Sequence, residues 1–437
     1  MHTHNQDGRP LTLAPSFGLP TCFWQRFHDE CWERRATVIA RPFPASLAEP
    51  EQTFAAIVDA CDLWRAGQRD DTLRFFIGET QLLADVEQYL PRRDDESSAG
   101  YGARVSQLLG GRRFGLVIEE FQAFDAVLWQ RLRDFLRGLY DVTGMPAEAA
   151  KATLFLGNYA ATPWGLHRGR SGNFQFVVEG PKRIRTWPDA YWRGREDLSL
   201  RTDYQGHNEG STVHDAQSGD IIYWPHDHWH VGEGIGGRVS VAISVALFMN
   251  DEGAANNLLA RALGPVRREL ARASGHAPVH PRDVQSSLPS VTDIVAHETA
   301  ALRAAGDDRG LRRALIALRL NHATGYGFGV LPARLPAQPL QDDAVVFGTS
   351  EYPILWLRDD DVFVCSANGH AFTVTSTPQI VSLLERLNSG TPHRVETLIH
   401  EHSGTVTADG VNHETGPEAV RTLLEKLVAS RAIVVGD

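Results

Sequence analysis

Two short stretches concentrate the side chains that could carry chemistry: Thr162-Pro163-Trp164-Gly165-Leu166-His167-Arg168-Gly169, and Gly219-Asp220-Ile221-Ile222-Tyr223-Trp224-Pro225-His226-Asp227-His228-Trp229-His230. An Fe(II) site with open coordination positions uses two imidazoles and usually one carboxylate on one side of the metal. In a strand, residues i and i+2 share a face, so such sites often read His-x-Asp. Two positions beyond His167 stands Gly169, so the carboxylate is missing. Eighteen histidines make some clusters inevitable, and composition alone leaves surface histidine as the competing reading for His167 and His230. His226 and His228 alternate with His230 and could share its face, but Pro225 starts a turn there, so both are assigned to a pocket rim or to solvent. Lys182 beside Arg183 would ordinarily be a solvated pair. On a strand between Val177-Val178 and Ile184 it reads instead as an inward ammonium that needs an anionic partner, since a buried unpaired charge is costly. Asp220 reads as a turn residue.

The elements that must position these residues are short and β-rich. Thr153-Leu154-Phe155-Leu156, Phe174 to Val178, Ile221 to Trp224 and Val239 to Val245 are separated by Gly or Pro turns, which predicts a sandwich or small barrel within residues 151–248. Ahead of them, residues 1–20 read as a loose leader. Phe23-Trp24-Gln25-Arg26-Phe27 reads as an aromatic helix start, Thr37 to Ala40 as a strand closed by Pro42, and 94–102 as a polar loop. Phe124, Leu128, Leu132, Phe135, Leu136 and Leu139 recur at helical spacing behind Asp125. After Asp251, Leu258 to Leu270 mark one helix and Leu311 to Leu320 another, followed by a Pro-containing linker from Pro332 to Pro339. Thr377-Pro378 and Gly416-Pro417 are helix starts, Gly390 is a stop, and Ile433-Val434-Val435 reads as a terminal strand.

With 437 residues, and roughly 150 per domain, two to four folding units are expected. At 42% apolar and 22% charged residues the chain is too apolar to be mainly disordered. A net charge of −11 argues against nonspecific binding to nucleic acid or an anionic membrane. No apolar run reaches the roughly 20 residues of a membrane span, and the first residues lack the apolar core of a secretory signal. Cys22, Cys31, Cys61 and Cys365 are too scattered for a disulfide framework or a zinc knuckle, and are expected to be reduced core thiols in a cytoplasmic protein.

Residues 151–248 resemble the JmjC-type cupins of the Fe(II)- and 2-oxoglutarate-dependent oxygenases, particularly the ribosomal oxygenases. The shared text is His167, Asn173-Phe174, Gly180-Pro181-Lys182-Arg183, then Ser218 to Pro225 ending in His230. The resemblance implies an α+β fold. Its parts are a double-stranded β-helix core with N-terminal helices (21–250), a helical region that dimerises (251–335) and a winged-helix-like domain (340–437). It implies Fe(II) on His167 and His230, and Lys182 on the distal carboxylate of 2-oxoglutarate. Asn173 would help hold the cosubstrate, as would Thr162, whose offset from His167 departs from the usual one. The implied activity is hydroxylation of a peptide or protein side chain. Position 169 departs from the family, where it would be Asp or Glu. Three readings follow: iron held by two histidines plus 2-oxoglutarate, a halogenase with chloride beside Gly169, or a metal-free cupin that binds peptides.

Overall fold

The computed structural model describes residues 17–69, 72–195, 203–249, 260, 264, 309–408 and 411–436. The chain falls into two compact units, Met1–Met249 with Gly329–Pro332, and Asn250–Phe328 with Ala333–Asp437.

In the first unit, α1 (Thr21–Glu30) buries Trp24 and Phe27. These rings meet Phe135, Phe174 and Tyr223 at centroid distances of 4.9 to 6.2 Å, which docks the helix through aromatic edges. Strand β1 (Thr37–Ile39) follows, then α2 (Pro50–Arg65), with Pro50 in its first turn, where a missing N–H costs no helical bond. Strands β2 (Leu73–Ile77) and β3 (Thr80–Leu82) form a hairpin. The polar loop expected over 94–102 is instead the start of α3 (Ser98–Leu108). Ser97 caps it by accepting from the Gly100 amide, and Tyr101 and Val105 give it a buried face that its polar opening residues conceal. After β4 (Phe114–Ile118) comes α4 (Ala126–Thr143). Asp125 caps it by accepting from the amides of Val127 and Leu128 at 2.9 and 3.0 Å, and Leu128, Leu132, Phe135, Leu136 and Leu139 form the expected buried stripe.

The next eight strands are β5 (Ala149–Gly157), β6 (His167–Arg168), β7 (Gly172–Glu179), β8 (Lys182–Trp187), β9 (Thr212–Ala216), β10 (Ile221–Trp224), β11 (Trp229–Gly234) and β12 (Ser240–Phe248). A short helix, α5 (Asp189–Trp192), lies between β8 and β9. The larger sheet runs β1-β10-β7-β12-β5-β4-β2-β3 and the smaller β6-β11-β8-β9, all pairings antiparallel. From β5 to β12 the chain passes repeatedly between the two sheets, the winding of a double-stranded β-helix or jelly roll. Strands β1 to β4 extend the larger sheet at both edges. Alternation along β5 shows why the sequence pattern is mixed: Ala150, Ala152, Leu154 and Leu156 are buried, while Lys151, Thr153 and Phe155 face a cavity.

In the second unit α6 (Arg309–Thr324) precedes β13 (Val345–Phe347). A meander follows of β14 (Leu355–Asp359), β15 (Val362–Ala367) and β16 (His370–Thr375). Then come α7 (Pro378–Asn388), β17 (His393–Arg394), α8 (Val395–His402), the hairpin β18 (Gly404–Ala408) and β19 (Val411–Thr415), α9 (Pro417–Ala429) and β20 (Val434–Gly436). Leu383, Leu387, Leu398, Val420, Leu424 and Leu427 interlock the three helices in one core. Thr377 caps α7, and Gly390 takes φ 76° past its end, the left-handed backbone glycine tolerates best. The segment from Pro332 to Pro339 has no helix or strand. Of the helix expected over 258–270 only residues 260 and 264 are described, both helical; its other residues and the leader's first sixteen lie outside the described residues. One expectation is corrected: Cys22 is exposed, sitting on the outer face of α1, while Cys31, Cys61 and Cys365 are buried, and all four are free. Among the described residues no helix is long and apolar enough to cross a membrane.

Candidate functional site

Strands β6 and β11 pair so that His167 lies directly opposite His230. Their ring centroids are 4.2 Å apart, with the planes tilted by 58°. The His167 Nδ1–H donates to the Gly165 carbonyl at 3.0 Å, and the His230 Nδ1–H donates to the His228 carbonyl at 3.1 Å. A carbonyl can only accept, so both protons are fixed at Nδ1 and both lone pairs at Nε2, the arrangement metal-binding histidines use. Burial, reinforced by the neighbouring His167, holds His230 well below the ordinary imidazole range, which keeps its lone pair at neutral pH.

The pair opens onto a cavity of about 400 Å³. Its larger-sheet wall is laid out in rows by register. Trp224, Asn173, Ala246 and Lys151 stand side by side across β10, β7, β12 and β5; Gln175, Ser244 and Thr153 form the next row. Trp224 also packs against His230, with centroids 5.0 Å apart and planes tilted by 44°. Asn173 is held within the wall. Its Nδ2 donates to the Ser171 carbonyl at 2.9 Å, and its Oδ1 accepts from Ser244 Oγ at 3.3 Å. Three other lining groups are buried without a hydrogen-bond partner among the described residues: Thr162 Oγ1, Gln175 Oε1 and Trp224 Nε1. Buried polar atoms are rarely left so. Their convergence on one cavity marks it as a place where a polar ligand would be held.

Gly169 lies on the histidine face. A Cβ built there would stand 3.2 Å from His230 Cε1, so even an alanine would press on the imidazole. The outward neighbour Arg168 pairs with Asp227 at 2.9 Å and with Asp189 at 3.5 Å. Among the described residues no group of three His, Cys, Asp or Glu side chains is placed to hold a metal ion. At the histidine pair the described residues therefore offer two imidazoles and no carboxylate, which fits a metal completed by an oxygen-donating small molecule and not a metal caged by three side chains.

Thr162, Asn173, His167 and His230 thus share one cavity, whereas Lys182 does not line it. Register places Gly232 opposite Ile184 and Gly234 opposite Lys182, so the lysine lies one layer beyond the cavity floor at Ile184. Lys182 is fully buried. Its ammonium donates to Tyr159 Oη and to Ser240 Oγ (3.2 Å) and lies 4.2 Å from the Tyr159 ring centre. The expected anionic partner is not among these; the partners are neutral hydroxyls. Burial lowers its pKa from 10.5 to about 7. The unfolded chain binds more protons than the folded one between those values, so stability rises with pH across that window. Relative to Lys182→Met, the wild type should gain up to about 1.4 kcal/mol of unfolding free energy per pH unit from about pH 7 to about pH 10. Denaturant titrations over that range would show it; parallel curves for the two proteins would refute it.

His226 and His228 stay outside the cavity lining. His226 is half-exposed and bonded to Glu33, with Asp227 at 3.3 Å, and His228 bonds the His226 carbonyl at 3.4 Å. Asp220 accepts from the amides of Arg41 and Gln217 at 3.1 and 2.9 Å, a turn role. Sequence reasoning missed Gln175, Trp224 and the charged trio Arg74, Glu119 and Lys151, all of which line the cavity. The polar alternation of Lys151 and Thr153 on β5 was a usable signal. Arg74 and Glu119 carry none, because only the pairing of β2 and β4 brings them to that wall.

No family model matches the chain, and no curated protein matches it by sequence. Among solved structures, it is similar to two of YcfD, a ribosomal oxygenase from Escherichia coli. One is 15% identical with a TM-score of 0.48, the other 16% identical with a TM-score of 0.49; each alignment covers 97% of this chain and 100% of the other. An oxalate decarboxylase from Bacillus subtilis is 14% identical with a TM-score of 0.19, over 32% of this chain and 26% of the other. At these identities and scores the likenesses carry no argument for this chain's activity or ligands, which are read from its own residues.

Proposed function

We propose that the chain is an Fe(II)- and 2-oxoglutarate-dependent oxygenase that hydroxylates a peptide or protein side chain. What carries this reading is the opposed pair His167 and His230, each with its lone pair at Nε2, at a cavity holding three polar atoms without a partner among the described residues. His167 and His230 would hold the metal, and the cosubstrate would fill coordination positions that a carboxylate at 169 would otherwise share. The bound metal and 2-oxoglutarate supply the oxidation of a C–H bond by oxygen, with 2-oxoglutarate converted to succinate and carbon dioxide. The chain's own part is placement. The two backbone carbonyls fix the imidazole tautomers. Trp224 covers the His230 ring and offers Nε1–H to a ligand oxygen; Thr162 and Gln175 offer an hydroxyl and an amide beside it. Asn173 keeps the wall in register. Lys182 follows the resemblance as the partner of the distal carboxylate, a buried ammonium whose charge an incoming carboxylate would compensate once Ile184 yields.

The test is conversion of 2-oxoglutarate to succinate by the full chain with Fe(II) under air. Conversion above that of His167→Ala supports the proposal, and equal background in both contradicts it. A second reading, a metal-free cupin that binds peptides, is favoured by the absence of a third ligand among the described residues. Four free cysteines accord with a reducing, cytoplasmic setting. We also propose a homodimer through residues 251–335 and a winged-helix-like role for residues 340–437, with nucleic acid disfavoured by the acidic balance. Light scattering should give twice 48.3 kDa, and a monomer mass at micromolar concentration would count against the dimer.

A further inference from the structure

Where the cavity wall passes from β5 to the added strands β4 and β2, three charged side chains meet that the reaction above does not use. Glu119 bridges Lys151 and Arg74, one carboxylate oxygen to each. All three line the cavity that holds the histidine pair. Their side chains are 34% (Arg74), 20% (Glu119) and 28% (Lys151) exposed, so the trio is neither sealed in the core nor freely solvated. Two cations share one anion, which leaves an excess positive charge on the wall. Arg74 engages Glu119 through Nη1 alone, and no other acceptor meets its guanidinium among the described residues. Burial raises the Glu119 carboxyl, but Lys151 and Arg74 outweigh it and hold the group below its ordinary value, so the bridge is ionised at neutral pH. The adjacent Glu120 offsets Lys151 in part at longer range, but it turns to Gln122 at 2.7 Å and does not line the cavity, so among the lining groups the cations outnumber the anion.

We propose that Arg74 and Lys151, held in place by Glu119, form an anion subsite that receives a carboxylate of the substrate. A planar guanidinium beside a flexible ammonium is a donor set suited to a carboxylate. The word substrate rests on the oxygenase reading; the subsite itself does not require metal. Position separates substrate from cosubstrate. Lys151 stands in the same row as Trp224 but three strands away, about 14 Å at the usual strand spacing. A five-carbon dicarboxylate fixed at the histidines is shorter than that span. A side chain of an incoming peptide can occupy the far end while its neighbour approaches His167 and His230. The prediction for specificity is a peptide with an acidic residue near the modified one.

The test uses the full chain without added metal, followed by tryptophan fluorescence, since Trp164 and Trp224 line the cavity. The probes are N-acetyl-glutamate methylamide, its glutamine counterpart and 2-oxoglutarate. The glutamate probe should bind about tenfold more tightly than the glutamine probe, the equivalent of one charge-assisted hydrogen bond. That preference should vanish in Arg74→Gln and in Lys151→Gln. It should grow in Glu119→Gln, which keeps the shape of the bridge and frees the cations, a change that a merely structural role would not produce. The affinity for 2-oxoglutarate should stay the same in all three variants. Equal binding of the two peptide probes in wild type would overturn the subsite. Loss of 2-oxoglutarate affinity without change in the glutamate probe would overturn its assignment to the substrate. Neither result depends on whether the histidines bind metal, so failure of the oxygenase reading remains separately visible.

Discussion

His230→Ala is expected to abolish metal binding, with a loss of affinity well beyond the 10- to 100-fold, roughly, that follows removal of an outer-sphere partner. The expectation is sharp because the described residues supply only two candidate ligands. Removing one of three ligands leaves a weakened chelate, whereas removing one of two leaves a lone imidazole. His228→Ala is the matched control. His228 lies two residues away and outside the cavity lining, so its loss should leave affinity nearly unchanged. Because His230 is buried and packs against Trp224, truncation also opens a void, and His230→Gln should be measured beside it to keep the packing while removing the imidazole. Equal metal uptake by wild type and both His230 variants would remove this residue from the site.

The second large effect is expected of Gly169→Asp. A Cβ at 169 would lie 3.2 Å from His230 Cε1, so the ring must yield by a few tenths of an ångström, and position 169 lines the same cavity as the histidine pair. If a carboxylate has simply been lost there, the variant should bind Fe(II) at least about tenfold more tightly without 2-oxoglutarate, as expected when a charged oxygen ligand is restored. It should also form succinate faster. If the open position serves chloride or substrate, metal affinity should rise while the native product disappears. Product masses distinguish the two, by a gain of oxygen or of chlorine. No gain in affinity would show that the imidazoles cannot share a metal with position 169.

How much of this was legible beforehand follows from which signals are local. The tail helices were readable because Thr377-Pro378 and Gly416-Pro417 are local start signals and their leucines recur at helical spacing. The strands β7, β10 and β12 were readable because they are rich in aromatic and β-branched residues, buried along nearly their whole length, and bounded by turns. The start of α3 was hidden, since Ser97, Ser98 and Gly100 read as loop until Tyr101 and Val105 are seen to bury. The facing of His167 and His230 depends on register between strands some sixty residues apart, which periodicity does not carry; only the resemblance paired them. The same limit explains Lys182. Its inward direction follows from alternation along β8, but its layer depends on how β8 pairs with β11, and that register sets it behind Ile184 with Tyr159 and Ser240. The trio of Arg74, Glu119 and Lys151 comes from three strand neighbourhoods and had no sequence signature beyond the alternation of β5.

The most direct measurement is an anaerobic titration of Fe(II) into the full chain, in the absence and then in the presence of 2-oxoglutarate. A metal held by His167 and His230 and completed by the cosubstrate should bind weakly alone and about tenfold or more tightly with 2-oxoglutarate, which adds two oxygen ligands. The endpoint should be one ion per chain, lost in His230→Ala. A chain that takes up no iron under either condition, and none after Gly169→Asp, would contradict the oxygenase and leave a cupin that binds its peptide without metal.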